Sequence, residues 1–537
     1  MAGSTIPLEG LFTRAAYLPS KDTFTSAPDL RTVLTTWFPL FFLTVVATGY
    51  FANPLKHIPM ANPKTGSWLS NFLREPRAPE VVEYQKDTPN VKGLFRYRGV
   101  LGKQRLHVTT TDGFQEVLQE KSYIMHKWTV TKRVLGPLMG DGLLLQEDDP
   151  HKNQRRKLGP SFAPRHINEL HQIFWSKAGT LIDVLTKQSQ TGPVNLTVWS
   201  ARAMFDIISL AVFDGDVEML TKPGSDVSKA YGQLFSPATA NQTSNLRSTL
   251  GVVLPRKLLQ ALPLERNQEI EVNNVVIRSW IRDCINKEKE LLKDPNHPQS
   301  LNIINVTLRS TPDIDVEHLI DQLMTILVAG HETSSHSLSW ALFYLAHNTT
   351  MQNRLRKEIR ENLPPLDQSS KFDQANLDKL PLVKAVCEET LRLRPVVPLL
   401  YRQASEPTSI LGEPISKGTV VSLSPYGINR NPEIWGKDAD TWNPDRWMGP
   451  TNPTKGSKNS MYSFASFSHG PRQCLGINFA RAQLADILAA VIGTLEVVPG
   501  GPEPVGAFGL VTLKPAGGIK VRFNKLNEWA EPLENRA

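Results

Sequence analysis

"FSHGPRQCLG", residues 467–476, sets a cysteine between two glycines, two residues after an arginine and directly ahead of a long apolar stretch, "INFARAQLADILAAVIGTL". The chain has three cysteines among its 537 residues, and Cys284 and Cys387 have no comparable surroundings. Each residue type in the run has a reason to be there if the thiol is to be presented to something. Gly470 and Gly476 permit a tight turn that a flat group can approach closely. The helix expected to start near Gly476 offers unpaired N–H groups and its positive dipole end, which favour a thiolate at Cys474. Arg472 is placed to pair with an anion. Cys284 and Cys387 read as ordinary buried thiols.

Composition narrows the field around that loop. Hydrophobic residues make up 40% and charged residues 21%, ordinary for a chain with a sizeable core. The length allows one large enzyme fold or several smaller domains. Three scattered cysteines build no disulfide framework, which points to a reducing compartment. The net charge of +8 suits an acidic protein partner or an anionic membrane surface. No dense Lys/Arg block alternates with aromatics, so nucleic acid is not among the expected partners.

Residues 1–32 form a mixed N-terminal segment. Residues 33–51, "VLTTWFPLFFLTVVATGYF", then run without a charge for about the length that crosses a bilayer core. Some 30 mixed residues precede this run, unlike a cleaved signal peptide, so residues 33–52 are expected to be a membrane anchor. Lys56, Lys64, Arg74 and Arg77 follow it and favour a cytosolic body. With that orientation the Asn-x-Ser/Thr sequons at Asn195, Asn241, Asn305 and Asn348 never meet the glycosylation machinery. A stiff, proline-punctuated linker is expected over 53–64, then one domain over 65–525 and a tail over 526–537. Strand-like runs occur at "LFRYRGVLGKQRLHVTT", "GTVVSLSPYG" and "GGIKVRF". Between them the pattern is helical, so the expected class is mainly α with small β-sheets.

The longest helical candidate is residues 315–348, with no proline and one glycine. At 1.5 Å per residue it spans roughly 50 Å and has to traverse the domain. Polar residues in its apolar middle, His331, Glu332, Thr333 and Ser334, are costly there. "HETSSH" is not a zinc-peptidase signature: His331 and His336 are five apart, about 140° out of register on a helix. Downstream, "CEETLRLRP" holds Glu389 and Arg392 on one helix face, and "WNPDRW" holds Pro444, Arg446 and Trp447.

Taken together, these elements resemble the cytochromes P450, in the family's order and over about residues 65–525. Residues 329–334 fit the oxygen-activating motif of the family's central helix. Glu389, Arg392 and Arg446 fit its buried charged triad. Phe467, Gly470, Arg472, Cys474 and Gly476 complete its cysteine loop. The resemblance implies the cytochrome P450 fold preceded by a single transmembrane helix, with haem b held by Cys474 as axial iron ligand. It implies that Arg472 pairs with a haem propionate, and it makes His151 and Arg155, in "HKNQRRK", and Arg402 further propionate contacts. In the motif Gly330 is expected to let a flat group approach the helix. Thr333 is expected to open a groove in the helix hydrogen bonding and hold a hydroxyl over the iron. Glu332 is expected to bring in protons from solvent.

The implied activity is insertion of one atom of O2 into a lipophilic small molecule, by hydroxylation or epoxidation. Electrons come from NADPH through a separate reductase, with cytochrome b5 as a further candidate donor. The chain has the look of a fungal microsomal member, at the endoplasmic reticulum membrane with its catalytic domain cytosolic. An acidic reductase suits a basic face that includes Lys152, Arg156 and Lys157. Segments that line the pocket in the family fall at 123–136, 323–328, 396–400 and 508–511 and are mostly apolar, which favours a terpenoid, polyketide or fatty-acid-like compound. Secondary-metabolite biosynthesis is the first expectation; xenobiotic or fatty-acid hydroxylation stands as an alternative. A haem-thiolate isomerase or dehydratase, and a non-catalytic haem carrier, also remain open, although neither needs the Glu332–Thr333 pair.

Overall fold

The central helix, Val316–Ala346, is the element around which the others pack in this computed structural model. Description covers residues 55–61, 74–88, 93–235, 254–294, 302–366, 374–449, 460–504, 512–515 and 517–527, with isolated positions between and before them. Asp315 caps the helix by accepting the His318 N–H at 2.8 Å. It is buried on most of its circumference, as expected of a helix apolar on all sides. Its serines are accommodated by turning back on the helix: Ser335, Ser337 and Ser339 donate to the carbonyls of Glu332, Thr333 and Ser335 at 2.8–3.0 Å. That removes most of the cost of hydroxyls in a core.

Two long helices flank it. Leu196–Phe213 packs directly on the central helix and Pro164–Ser189 packs on Ile477–Thr494, which also touches the central helix. The first contact is close because Gly330 has no side chain: a Cβ there would lie 2.8 Å from Ile208 Cδ1. Leu196–Phe213 is long and apolar enough to cross a membrane, but it is mostly buried inside the domain and is a core helix. The anchor expected over 33–52 lies mostly outside the described residues; of it, Thr36, Leu40, Leu43, Thr44 and Ala47 are described, helical and exposed.

The β structure is small. One five-stranded sheet has the order Leu94–Arg98, Gln104–Val108, Val420–Leu423, Leu400–Ala404, Met125–Lys127, antiparallel except for the second pair. It carries its own apolar layer, including Leu106, Val108, Phe114 and Val421. A three-stranded sheet joins Val194–Asn195, Lys520–Lys525 and Leu495–Pro499. The result is mainly helical with small sheets, and all three strand-like runs contain strands.

Three sequon asparagines do structural work. Asn195 and Asn348 cap helices through their side chains, and Asn305 is buried against Glu288. Asn241 lies outside the described residues.

The charged triad is assembled as expected. Glu389 and Arg392, both fully buried, face each other on the Pro381–Leu393 helix through two hydrogen bonds of 2.8 Å. Glu389 also accepts from Arg446 Nε at 3.2 Å, Trp447 Nε1 at 2.9 Å and the Asn443 N–H at 2.7 Å. Arg392 spends its remaining donors on the carbonyls of Asn429, Ala439 and Thr441 at 2.6–3.1 Å. Asn429 carries the bracing onward: its amide donates to Ser466 Oγ at 2.8 Å and its oxygen accepts the Ala465 N–H at 2.9 Å, at the entrance of the cysteine loop. Removing one partner from such a cluster strands a charge in the core. Arg392→Ala is therefore expected to cost about 3–5 kcal/mol, read as a lowered urea midpoint. Arg354→Ala, which breaks a half-exposed pair with Asp445, should cost under about 1 kcal/mol in the same assay.

Candidate active site

The cysteine loop closes on itself: the Cys474 N–H donates to the Phe467 carbonyl at 2.9 Å. Gly470 is required by the backbone, because its φ is +73° and a Cβ would lie 2.1 Å from the Leu118 carbonyl oxygen. Gly476 is different. Its φ of −89° is open to any residue and a Cβ would meet only Phe162, at 3.8 Å, so neither turn geometry nor protein packing demands glycine there. Phe467 packs under the Arg481 guanidinium, 5.3 Å from its ring centre, and Arg481 is paired with Glu388.

Cys474 is accessible, yet the surrounding protein desolvates its thiol. Burial pushes its pKa up; the Gly476 N–H, Arg155 and Arg481 oppose that without overcoming it. The Gly476 N–H at the helix start favours the thiolate, in the direction expected, but desolvation outweighs it. A cation on the sulfur would supply the missing charge.

Arg155 links this loop to a second feature, donating to the Gln473 carbonyl at 2.7 Å from the Asp148–Leu158 helix. Around it gather Lys127, Arg402 and Arg472, with Glu147 as the carboxylate among them. Arg472 pairs with Glu147 and donates to the carbonyls of Ser122 and Gln146 at 3.0 and 3.2 Å. Arg402 is buried and donates to the Tyr401 carbonyl at 3.0 Å. Lys127 stands opposite Arg402 in the register of two antiparallel strands. Like charges directly across a sheet repel. Burial, followed by Arg472, pulls Arg402 down to about 10 against Glu147; burial pulls Lys127 down to about 7, with Glu147 opposing and Arg472, Arg402 and Arg155 adding to the fall. The same burial and cations hold His151 neutral, at about 3, with Nδ1 3.2 Å from the Tyr123 hydroxyl. His151 is thus a neutral hydrogen-bonding group and not a further cation. Three arginines, and a lysine that a nearby anion would keep charged, against one carboxylate fit a ligand that brings two or more negative oxygens, as haem b does with its propionates.

On the central helix the motif residues are brought together, with two corrections. Gly330 faces Ile208, so its missing side chain serves helix packing in the direction where a Cβ would point. Thr333 does not break the helix: its hydroxyl donates to the Ala329 carbonyl at 2.8 Å within continuous helical backbone. Ala329 is accessible in the middle of this largely buried helix. Glu332 is paired with Lys514 from the strand Leu513–Pro515. His331 accepts from or donates to the Tyr231 hydroxyl at 2.9 Å and bonds the Ala201 backbone; burial holds it neutral, at about 4.

Sequence reading did not single out Lys127, Tyr123, Glu147, Asn429 or Lys514. Lys127 carried a faint signal, a lysine in a short apolar strand run; the others are recognisable only through partners far away in the chain.

The cytochrome P450 family profile matches residues 80–521. The chain is 38% identical to the cytochrome P450 monooxygenase sphH of Aspergillus fumigatus, over 89% of this chain and 90% of that one. It is 34% identical to the cytochrome P450 monooxygenase ptmK of Penicillium ochrochloron, over 90% and 96%. It is 31% identical to the cytochrome P450 monooxygenase FSL4 of Gibberella zeae, over 92% of each. The mainly helical fold, the braced cysteine loop and these similarities agree that the chain belongs to the cytochrome P450 family of haem b monooxygenases, which take electrons from NADPH through a reductase.

Proposed function

We propose that the accessible faces of Cys474 and Ala329 look onto one cavity. In this reading Cys474 would hold the iron of haem b there, and Lys127, Arg155, Arg402 and Arg472 would hold its propionates. The observation that carries this is the cation excess beside the cysteine loop, with Arg402 and Arg472 buried and Lys127 and Arg155 partly so, which makes little sense without an anionic ligand. Haem bound there supplies oxygen activation and the transfer of one oxygen atom. The chain's own residues do the rest. Glu332 takes protons from the solvent side, and the Thr333 hydroxyl, released from Ala329, presents them to the cavity. The mostly apolar stretches at 123–136, 323–328 and 396–400 hold a lipophilic substrate and exclude water. The fungal relatives and this lining support oxidation of a terpenoid or polyketide in secondary metabolism. The uncharged run at 33–52 supports a single-pass anchor in the endoplasmic reticulum with a cytosolic domain. There the reductase, and cytochrome b5 with it, docks on the basic face around Lys152, Arg156 and Lys157.

Three experiments test this. The reduced protein with carbon monoxide should show the red-shifted Soret band of thiolate ligation; Cys474→Ala should lose it while Cys284→Ala and Cys387→Ala keep it. A wild-type spectrum from Cys474→Ala refutes the assignment. Thr333→Ala removes a hydroxyl yet improves helix propensity, so a merely structural residue should leave the protein's electron use unchanged. Losing a positioned proton donor slows its step by about 100- to 10,000-fold; Thr333→Ala and Glu332→Gln should therefore divert NADPH electrons into hydrogen peroxide at normal haem content, and Ser337→Ala should not. Deleting residues 1–52 should move the protein from the membrane to the soluble fraction with its carbon monoxide spectrum intact, and retention in the membrane rules out that segment as the anchor.

A further inference from the structure

The Lys514 ammonium meets three elements at once. It pairs with Glu332 on the central helix, it sits on the strand Leu513–Pro515, which forms the C-terminal hairpin with Gly506–Phe508, and it donates to the carbonyl of Phe235 at 3.4 Å, the last residue of the helix Asp226–Phe235. The paired side chains are 18% and 21% exposed, so the pair is sheltered enough to hold and wet enough to open. The other ionisable groups around it do not compete for the carboxylate. Tyr231 is occupied with His331, and His331 and His336 are held neutral, first by burial, with the Lys514 charge adding to it. Among the described residues Lys514 is the cation that pairs with Glu332. A carboxylate that carries protons must reach both solvent and cavity, and a tether on a separate hairpin sets where it waits.

We infer that Lys514 is a positioning residue for Glu332, through which the C-terminal hairpin and the end of the Asp226–Phe235 helix control proton delivery to the cavity. The inference rests on Glu332 being the proton carrier. Its geometry gives Lys514 a role in the reaction that does not require it to touch substrate. When the hairpin and helix end are seated, Glu332 is held. When either shifts, the ammonium leaves and the acid is free to move.

The test needs no substrate, because the holoenzyme with reductase oxidises NADPH alone. Returning O2 as hydrogen peroxide consumes one NADPH and returning it as two waters consumes two, the second route requiring two more delivered protons. Peroxide released per NADPH thus reads proton delivery. Misplacing a catalytic group by about 1 Å can cost about 100-fold; Lys514→Met should raise peroxide per NADPH at least about threefold and enlarge the solvent deuterium isotope effect. Lys514→Arg, which keeps the charge, should restore both. The double variant Lys514→Met with Glu332→Gln should be no worse than Glu332→Gln alone, because coupled residues are not additive. Hydrogen exchange should quicken in the 512–515 and 226–235 segments of Lys514→Met and of Glu332→Gln, a readout independent of turnover. Additive losses in the double variant, or a Lys514→Met protein with wild-type peroxide yield beside an impaired Glu332→Gln, overturn the role of Lys514. If Glu332→Gln itself keeps the wild-type yield, the proton-carrier reading fails first and this inference with it.

Discussion

The structure depends on one carboxylate. Glu389 is fully buried and accepts five donors, from Arg392, Arg446, Trp447 and the Asn443 backbone. A lone buried carboxylate is unfavourable by several kcal/mol; with this set of partners it becomes the point at which a helix, a long meandering segment and the cysteine loop are fixed relative to one another. From it run two routes to the loop. One passes through Arg392 and Asn429 to Ala465 and Ser466. The other passes through Trp447, whose ring meets Phe464 edge-on at 5.3 Å. Neither contains Cys474, which explains how residues remote from the reaction decide whether the thiol is correctly held.

The three cysteines show that burial alone does not distinguish a ligand. Burial pushes the thiols of Cys284, Cys387 and Cys474 all upward. What sets Cys474 apart is its exposure, an N–H donor from Gly476 and two guanidinium groups nearby. The site is prepared for a charge that arrives with the ligand, and the same holds at the cation cluster.

Much of this was legible in the sequence where the signal is local. The long uninterrupted apolar pattern predicted a helix over 315–348, and Val316–Ala346 forms. The Glu389–Arg392 spacing placed both on one face, and the loop around Cys474 announced itself by its glycines and arginine. The reading faltered where a residue's meaning depends on a distant partner. Gly330 is small because Ile208 arrives from another helix. Lys127 matters because strand register sets it against Arg402. Lys514 matters because a hairpin near the end of the chain folds back onto Glu332. Thr333 was expected to open the helix, yet its hydroxyl back-bonds to Ala329, the local option open to any helical threonine.

The facing pair of Lys127 and Arg402 has a consequence for the life of the protein in the cell. A fold that crowds cations in its interior is strained until a counter-charge enters, and whatever binds only the folded state stabilises it in proportion to its supply. A chain synthesised when haem is scarce would spend more time partly open and be cleared faster by quality control. Abundance would then follow cofactor availability without any dedicated sensor, set by two strands and the repulsion between their side chains.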